Sequence, residues 1–385
     1  MKYNFDVISQ RRHTASIKWD VKENELPMWV ADMDFMVMPE IQEAIINSAK
    51  NGSYGYTYPT EEFFASYQYW WKSRHNLDID TKAMVFVSGV VSALDSLVRV
   101  LTKENDHVMI LTPVYHVFFS VIENNKRVVT SSELKYEDDD YHIDYQDVEN
   151  KIIKNDVKLL IFCNPHNPVG KIWNKEEIEK LYAILNRHGV KMISDEIHCD
   201  IVEPGYHYVP ALAISPDIIT CLAPSKVFNL AGLHAAVTVV NNPHLKEQIQ
   251  AAYYRDDVGE ITYFAVPATI VAYRQGGQFV DELNEYLLKN KQYVHDYLEK
   301  NLPHIKLMPN KATYLLWLDI SYYKESSDVF AKKLREKTGL FVSDGLQFGG
   351  DGANYIRMNI ATNLETVKEG MKRLADFLKD EKRPQ

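Results

Sequence analysis

Between residues 84 and 240 short apolar runs alternate with amphipathic stretches, and this alternation limits the possible folds more than any other feature of the chain. Met84 to Val87, Val108 to Leu111, Val157 to Cys163, Lys191 to Ser194, Ile218 to Leu222 and Ala235 to Val240 have the length and apolar character of buried strands. Helical patterns separate several of them. Val90 to Leu101 carries apolar side chains at 90, 91, 94, 97, 98 and 101, and Val117 to Glu123, Gln146 to Lys154 and Lys175 to Arg187 follow. Asn174 and Glu177 make a capping box before the last of these, and Gly189 ends it. Strand and helix in turn over such a span predict an α/β fold, with a mostly parallel sheet between two helical layers. Ligands of such sheets bind beyond the carboxyl ends of the strands.

A chain of 385 residues exceeds one simple domain. We expect an arm and part of a smaller domain in residues 1–45, a large three-layer αβα domain in 46–280, and a smaller α+β domain in 281–385. The last begins within a long polar helix, Phe279 to Lys300, followed by strands near Tyr314 to Asp319 and Tyr355 to Ile360. A net charge of −10 speaks against nucleic acid as a partner. No stretch approaches the roughly 18 apolar residues of a membrane helix. The polar start, Met1 to Thr14, lacks the apolar centre of a signal peptide. Three cysteines without metal-binding spacing fit a reducing, cytoplasmic setting.

Chemistry-bearing residues follow the strands. Ser88-Gly89 stands between a strand and a helix, so the free N–H groups at the start of that helix form a candidate phosphate cup. Tyr115, in Thr112-Pro113-Val114-Tyr115, places a flat ring after the next strand. Asn164-Pro165-His166-Asn167-Pro168-Val169-Gly170 offers the amide of Asn167, and Asp195-Glu196-Ile197-His198 a carboxylate in need of a partner. Pro224-Ser225-Lys226 sets an amine beside an apolar strand, where desolvation frees it for Schiff-base chemistry. Arg357, inside the apolar run Tyr355 to Ile360, either bridges a structural acid or grips a ligand carboxylate. Taken singly, Lys226 is also read as a surface lysine, Asp195 as a turn cap and Tyr115 as a core aromatic. Neither a dinucleotide fingerprint nor a P-loop occurs, and Asp195, Glu196, His198 and Asp200 lack a second histidine cluster for a metal. Phosphate cup, stacking ring, acid, amine and carboxylate grip together are the requirements of pyridoxal phosphate acting on an amino acid.

These motifs resemble those of fold-type I pyridoxal-phosphate enzymes, the aspartate-aminotransferase superfamily. The runs Met28-Trp29-Val30-Ala31-Asp32-Met33-Asp34-Phe35, Tyr54-Gly55-Tyr56, Ser194-Asp195-Glu196-Ile197-His198-Cys199-Asp200 and Pro224-Ser225-Lys226-Val227-Phe228-Asn229 are similar to those of the MalY/PatB-type cystathionine β-lyases. The resemblance implies that Lys226 carries the cofactor, Asp195 pairs with its ring nitrogen and Tyr115 stacks on the ring. Asn167 and His198 would bind the ring oxygen, and Arg357, near Ala31 and Asn167, the substrate carboxylate. Gly89, Val90, Val91 and Ser225 would hold the phosphate together with Tyr56 from a second subunit of a homodimer. Two positions depart from the aminotransferase pattern, Ala223 and His234 standing where a hydroxyl and an arginine serve the phosphate. The expected activity is a carbon–sulfur β-lyase acting on L-cystathionine or a related cysteine S-conjugate. An aminotransferase, and a regulatory protein that keeps the cofactor fold, are the alternatives.

Overall fold

The computed structural model describes residues 1–380. Its central sheet has seven strands: β1 (Met84–Val87), β2 (His107–Thr112), β3 (Val128–Glu133), β4 (Leu159–Cys163), β5 (Lys191–Asp195), β6 (Ile219–Leu222) and β7 (Ala236–Val239). They lie in the order β1-β7-β6-β5-β4-β2-β3. Only β7 runs antiparallel to its neighbours; the other pairs are parallel. Every residue of β1, β4, β6 and β7 is buried, as expected of strands covered on both faces by helices. The three-layer α/β architecture expected from the alternation is the observed one.

β3 has no counterpart among the expected strands. Its sequence, Val-Val-Thr-Ser-Ser-Glu, alternates exposed and buried residues, and the buried positions within it are Thr130 and Ser132. An edge strand with one solvated face needs little apolar sequence, so the run reads as a polar connection. The helix Glu61–His75 is legible only from the structure as well. Thr60 caps it through Phe63 N at 3.2 Å, and Phe63, Tyr67, Trp70 and Trp71 fill the core from its inner side.

A second, antiparallel sheet is formed by β8 (Lys306–Leu307), β9 (Leu315–Asp319), β10 (Ser343–Asp344) and β11 (Tyr355–Asn359), in the order β8-β9-β11-β10. The 25-residue helix Gly277–Asn301 precedes it. Gly170 joins the two sheets. Its carbonyl accepts Lys311 N (2.9 Å) and Ala312 N (3.0 Å), and with φ +67° a Cβ there would lie 2.0 Å from Asn310 Nδ2. The position is therefore closed to side chains.

The N-terminal residues pack back on the C-terminal ones, Leu26–Pro27 pairing in parallel with Leu340–Phe341. Next to this lies segment 29–35, held by charged residues of the arm. Lys18 and Asp34, each with a side chain only 1% exposed, are joined at 3.0 Å, while Arg11 grips both carboxylate oxygens of Asp32 at 3.0 and 2.6 Å. Trp19 Nε1 donates to Asp34 at 2.7 Å. Breaking a buried pair strands the remaining charge in a medium that solvates it poorly. Lys18→Ala is therefore expected to lower the unfolding free energy by about 3 kcal/mol in a urea titration, whereas Lys72→Ala, which removes an exposed pair with Asp78, should change it by less than about 1 kcal/mol.

Candidate active site

Five chain segments leave the carboxyl ends of central strands along one edge of the sheet, and Arg357 of β11 reaches that edge from the second sheet at Asn167, forming the candidate cleft. Gly89 is the N-cap of the helix Val90–Leu101, which leaves the first-turn N–H groups pointing out past β1 without helical partners. Gly89 itself is extended (φ 169°), and a Cβ there would meet only Ser92 Oγ, at 4.0 Å. Val90 is buried and Val91 is exposed.

Asp195 ends β5. Its carboxylate is buried and accepts one protein hydrogen bond, from Ile197 N at 3.1 Å. Burial pushes its pKa up to about 6, while the Ile197 N–H and the nearby Lys226 act in the opposite direction. The adjoining Glu196 turns the other way and is fully satisfied by Tyr208, Ser194 Oγ (2.8 Å) and Ala211 N (2.9 Å). Asn164 also faces away, donating to Val209 O at 2.9 Å, so of the two motif asparagines it is Asn167 that reaches the cleft.

Lys226 sits in the turn after β6 and donates from Nζ to Ala31 O at 2.6 Å. Burial and the proximity of Arg357 pull its pKa down to about 8, against the opposing influence of Asp32 and Asp195. The turn is locked from below. Asn229 accepts Met33 N at 3.2 Å and donates to Met33 O and Phe35 O at 3.0 Å each. Ser225 lies partly exposed at the same turn.

Arg357 has no carboxylate partner. Its guanidinium donates to Asn167 Oδ1 (3.1 Å), Trp29 O (3.0 Å) and Ser343 Oγ (3.4 Å), and lies 4.7 Å from the centre of the Phe348 ring. Burial lowers its pKa to about 10, which leaves it charged at neutral pH. Of the two sequence alternatives, a structural acid or a ligand carboxylate, the first is absent around it among the described residues. His198 is buried, Nδ1 has no hydrogen-bond partner, and its ring meets the edge of Tyr314 at 6.2 Å. Burial, with Lys226 and Arg357 nearby, holds its pKa well below the usual histidine range, so the imidazole is neutral. Tyr115 is close enough to Arg357 and Asp195 to feel both charges, and burial raises its pKa.

Several residues of the cleft escape sequence reasoning. Tyr314 donates to Ala31 O at 3.0 Å, beside the Lys226 amine. Asn359 donates to Val30 O and Asp32 O at 2.6 and 2.7 Å. Neither belongs to a local motif; the one available signal is a polar side chain next to an apolar strand run. Tyr56 is not brought to the cleft of its own chain. It is fully exposed, in a loop whose Tyr54 and Tyr58 are exposed too. Ala223 is buried and His234 is exposed.

Comparison with known proteins agrees with this geometry. Residues 24–374 match the family model for aminotransferase class I and II. The chain is 36% identical over 382 residues to cystathionine beta-lyase PatB of Bacillus subtilis, covering 96% of this chain and 98% of that protein. A PLP-bound putative aminotransferase from Clostridium difficile superposes with a TM-score of 0.95 at 37% identity, over 98% of this chain and all of that one. The PLP-bound C-S lyase from Staphylococcus hominis gives a TM-score of 0.93 at 33% identity, covering 98% of each chain. A match from end to end, with the cleft residues in the order the motifs require, means that this chain belongs to the aminotransferase class I and II family.

Proposed function

We propose that this protein is a pyridoxal-phosphate-dependent carbon–sulfur β-lyase, cleaving L-cystathionine or a related L-cysteine S-conjugate to a thiol, pyruvate and ammonia. The observation that carries it is the pair of cations, the part-buried Lys226 and the buried Arg357, held by neutral acceptors next to an under-partnered Asp195. That donor set fits the cofactor. Asp195 has no ion-pair partner among the described residues, His198 Nδ1 and Arg357 Nε are buried without partners, and the first turn after Gly89 has N–H groups without helical partners.

When bound, pyridoxal phosphate supplies a ring that takes up the electron pair left behind as the substrate's Cα–H bond breaks. Lys226 Nζ is its covalent attachment point. Asp195 keeps the ring nitrogen protonated, the interaction that a buried lone carboxylate favours most. Asn167 and His198 would hold the ring oxygen, His198 as a neutral imidazole, and Tyr115 would stack on the ring. The N–H groups of Gly89, Val90 and Val91, with Ser225, bind the phosphate. Arg357 grips the substrate carboxylate with its fork, helped by Asn167 and the main chain at Ala31, and so orients Cα–H toward Lys226. The Lys226 amine, once free, would take the α-proton. The thiolate then leaves Cβ, and water converts the remaining enamine to pyruvate and ammonia.

Lyase is favoured over amino-group transfer by the full-length similarity to a named cystathionine β-lyase and a named C-S lyase, which also carries over the substrate class. We further propose a homodimer in which Tyr56 of the partner subunit completes the phosphate site; the full exposure of Tyr56 supports this. A cytoplasmic setting is proposed on the three buried, unpaired cysteines.

Purified holoenzyme given L-cystathionine is expected to release thiol and pyruvate in equal amounts, and Lys226→Ala should lose roughly a thousandfold or more in rate. Amino-group transfer to a keto acid without thiol release would decide for an aminotransferase, and an unaffected Lys226→Ala would remove the enzymatic reading. Arg357→Lys keeps the charge but loses the fork, and should raise KM roughly 10- to 100-fold with a smaller change in kcat. Because Lys226 is held near pH 8, uptake of pyridoxal phosphate by the cofactor-free protein should accelerate as pH rises through about 8. A midpoint near the ordinary lysine value of 10.5 would contradict the burial argument.

A further inference from the structure

His198 faces the proposed cofactor, yet no hydrogen bond from the described residues fixes its ring. Its orientation is therefore set by the main chain of the turn 195–201, and that turn is anchored by its neighbours. On one side Glu196 is tied to Tyr208, Ser194 and Ala211 N. On the other, Asp200 reaches the C-terminal part of the helix Glu61–His75. Trp70 Nε1 lies 3.0 Å from each of its carboxylate oxygens, His75 Nε2 lies 2.8 Å from Oδ1, and Asn284 Nδ2 donates to its carbonyl at 2.9 Å. Within the turn, Cys199 N donates to Glu196 O and Ile201 N to His198 O, each at 3.0 Å, so displacement at 200 is passed straight to 198.

We propose that Asp200, clamped by Trp70 and His75, is a positioning residue for His198 and through it for the cofactor's ring oxygen. This rests on the pyridoxal-phosphate reading of the cleft. The clamp is more than packing, because an Asp in a turn needs two indole and imidazole donors only if its carboxylate must stay fixed and buried. His75 Nε2, Cys199 Sγ and an Asp200 oxygen also lie within 4.8 Å of one another. A metal there would have to displace donors from a carboxylate whose oxygens are already used, so the hydrogen-bonded clamp accounts for the cluster better.

The test compares wild-type holoenzyme with Asp200→Ala, Asp200→Asn and His75→Ala by visible absorbance and circular dichroism of the bound cofactor, and by kcat and KM. A cofactor band in the wild type establishes the underlying reading; its absence would remove that reading and this inference together. With the band present, Asp200→Ala should change its position or ellipticity and lower kcat on the order of 10- to 100-fold with little change in KM. Asp200→Asn, which still accepts from Trp70, should recover part of both, and His75→Ala, at the partly exposed rim, should move both the same way to a smaller extent. Variants that bind cofactor with the wild-type spectrum and kcat, and differ only in melting temperature, would show the clamp to be structural and overturn the inference. If Asp200→Ala does not fold, His75→Ala decides on the same criteria.

Discussion

Two cations of the cleft, the buried Arg357 and the part-buried Lys226, have no carboxylate in contact among the described residues, and the rest of the cleft is arranged around that fact. A lone charge in a protein interior is costly, and the usual remedy is an acid in contact. Here Lys226 is given Ala31 O, and Arg357 is given Trp29 O, Ser343 Oγ and the Asn167 amide. Neutral acceptors satisfy the geometry of the N–H groups while leaving the charge uncompensated. On the proposed reading, a substrate carboxylate would meet no rival acid at Arg357. The amine of Lys226, destabilised as an ammonium, is ready to react at mildly alkaline pH.

Such an arrangement demands that the carbonyls be held rigidly, and segment 29–35 shows how. Trp29 O also accepts Ser343 Oγ at 3.0 Å, and Val30 O and Asp32 O share the Asn359 amide. Ala31 O accepts Tyr314 as well as Lys226, and Met33 O is held by Arg11 and Asn229. Asp34 O accepts Ser9 N at 2.9 Å. A stretch with no regular secondary structure thus has its carbonyl groups occupied by side chains and main chain from both sheets and from the N-terminal arm. Removal of a neighbour would leave a carbonyl with fewer donors and loosen the acceptors that the two cations depend on. The buried Lys18–Asp34 pair belongs to the same system, which links the energetics of the arm to the chemistry of the cleft.

This explains which parts were legible in the sequence. Strand-end residues announce themselves because a polar group after an apolar run stands out locally, and Gly89, Asn167, Asp195 and Lys226 are proposed on that signal. The Asn-Pro-His-Asn-Pro-Val-Gly run concentrates its information in seven consecutive residues. Tyr314, Asn359 and Ser343 act on positions more than 280 residues away in the chain, and nothing local marks such pairings. β3 was hidden for a different reason. An edge strand can bury threonine and serine where a central strand requires valine or isoleucine, so its composition imitates a loop.

Asp195 and Glu196 show the same physics from the acidic side. They are adjacent, both are buried, and burial drives both carboxyls upward, to about 6 and about 7. Yet Glu196 is surrounded by donors from Tyr208, Ser194 and Ala211, while Asp195 accepts only Ile197 N. The contrast follows from the extended chain at the end of β5, which turns successive side chains to opposite sides. One side is closed protein, where every acceptor must be matched from within; the other is the cleft, where an unmatched acceptor has a use. A buried carboxylate left short of donors is unfavourable by itself and becomes favourable where a protonated nitrogen stands opposite it. The free energy withheld from folding at Asp195 is thereby available for binding, and the completed network at Glu196 keeps the turn from relaxing to satisfy Asp195 in any other way.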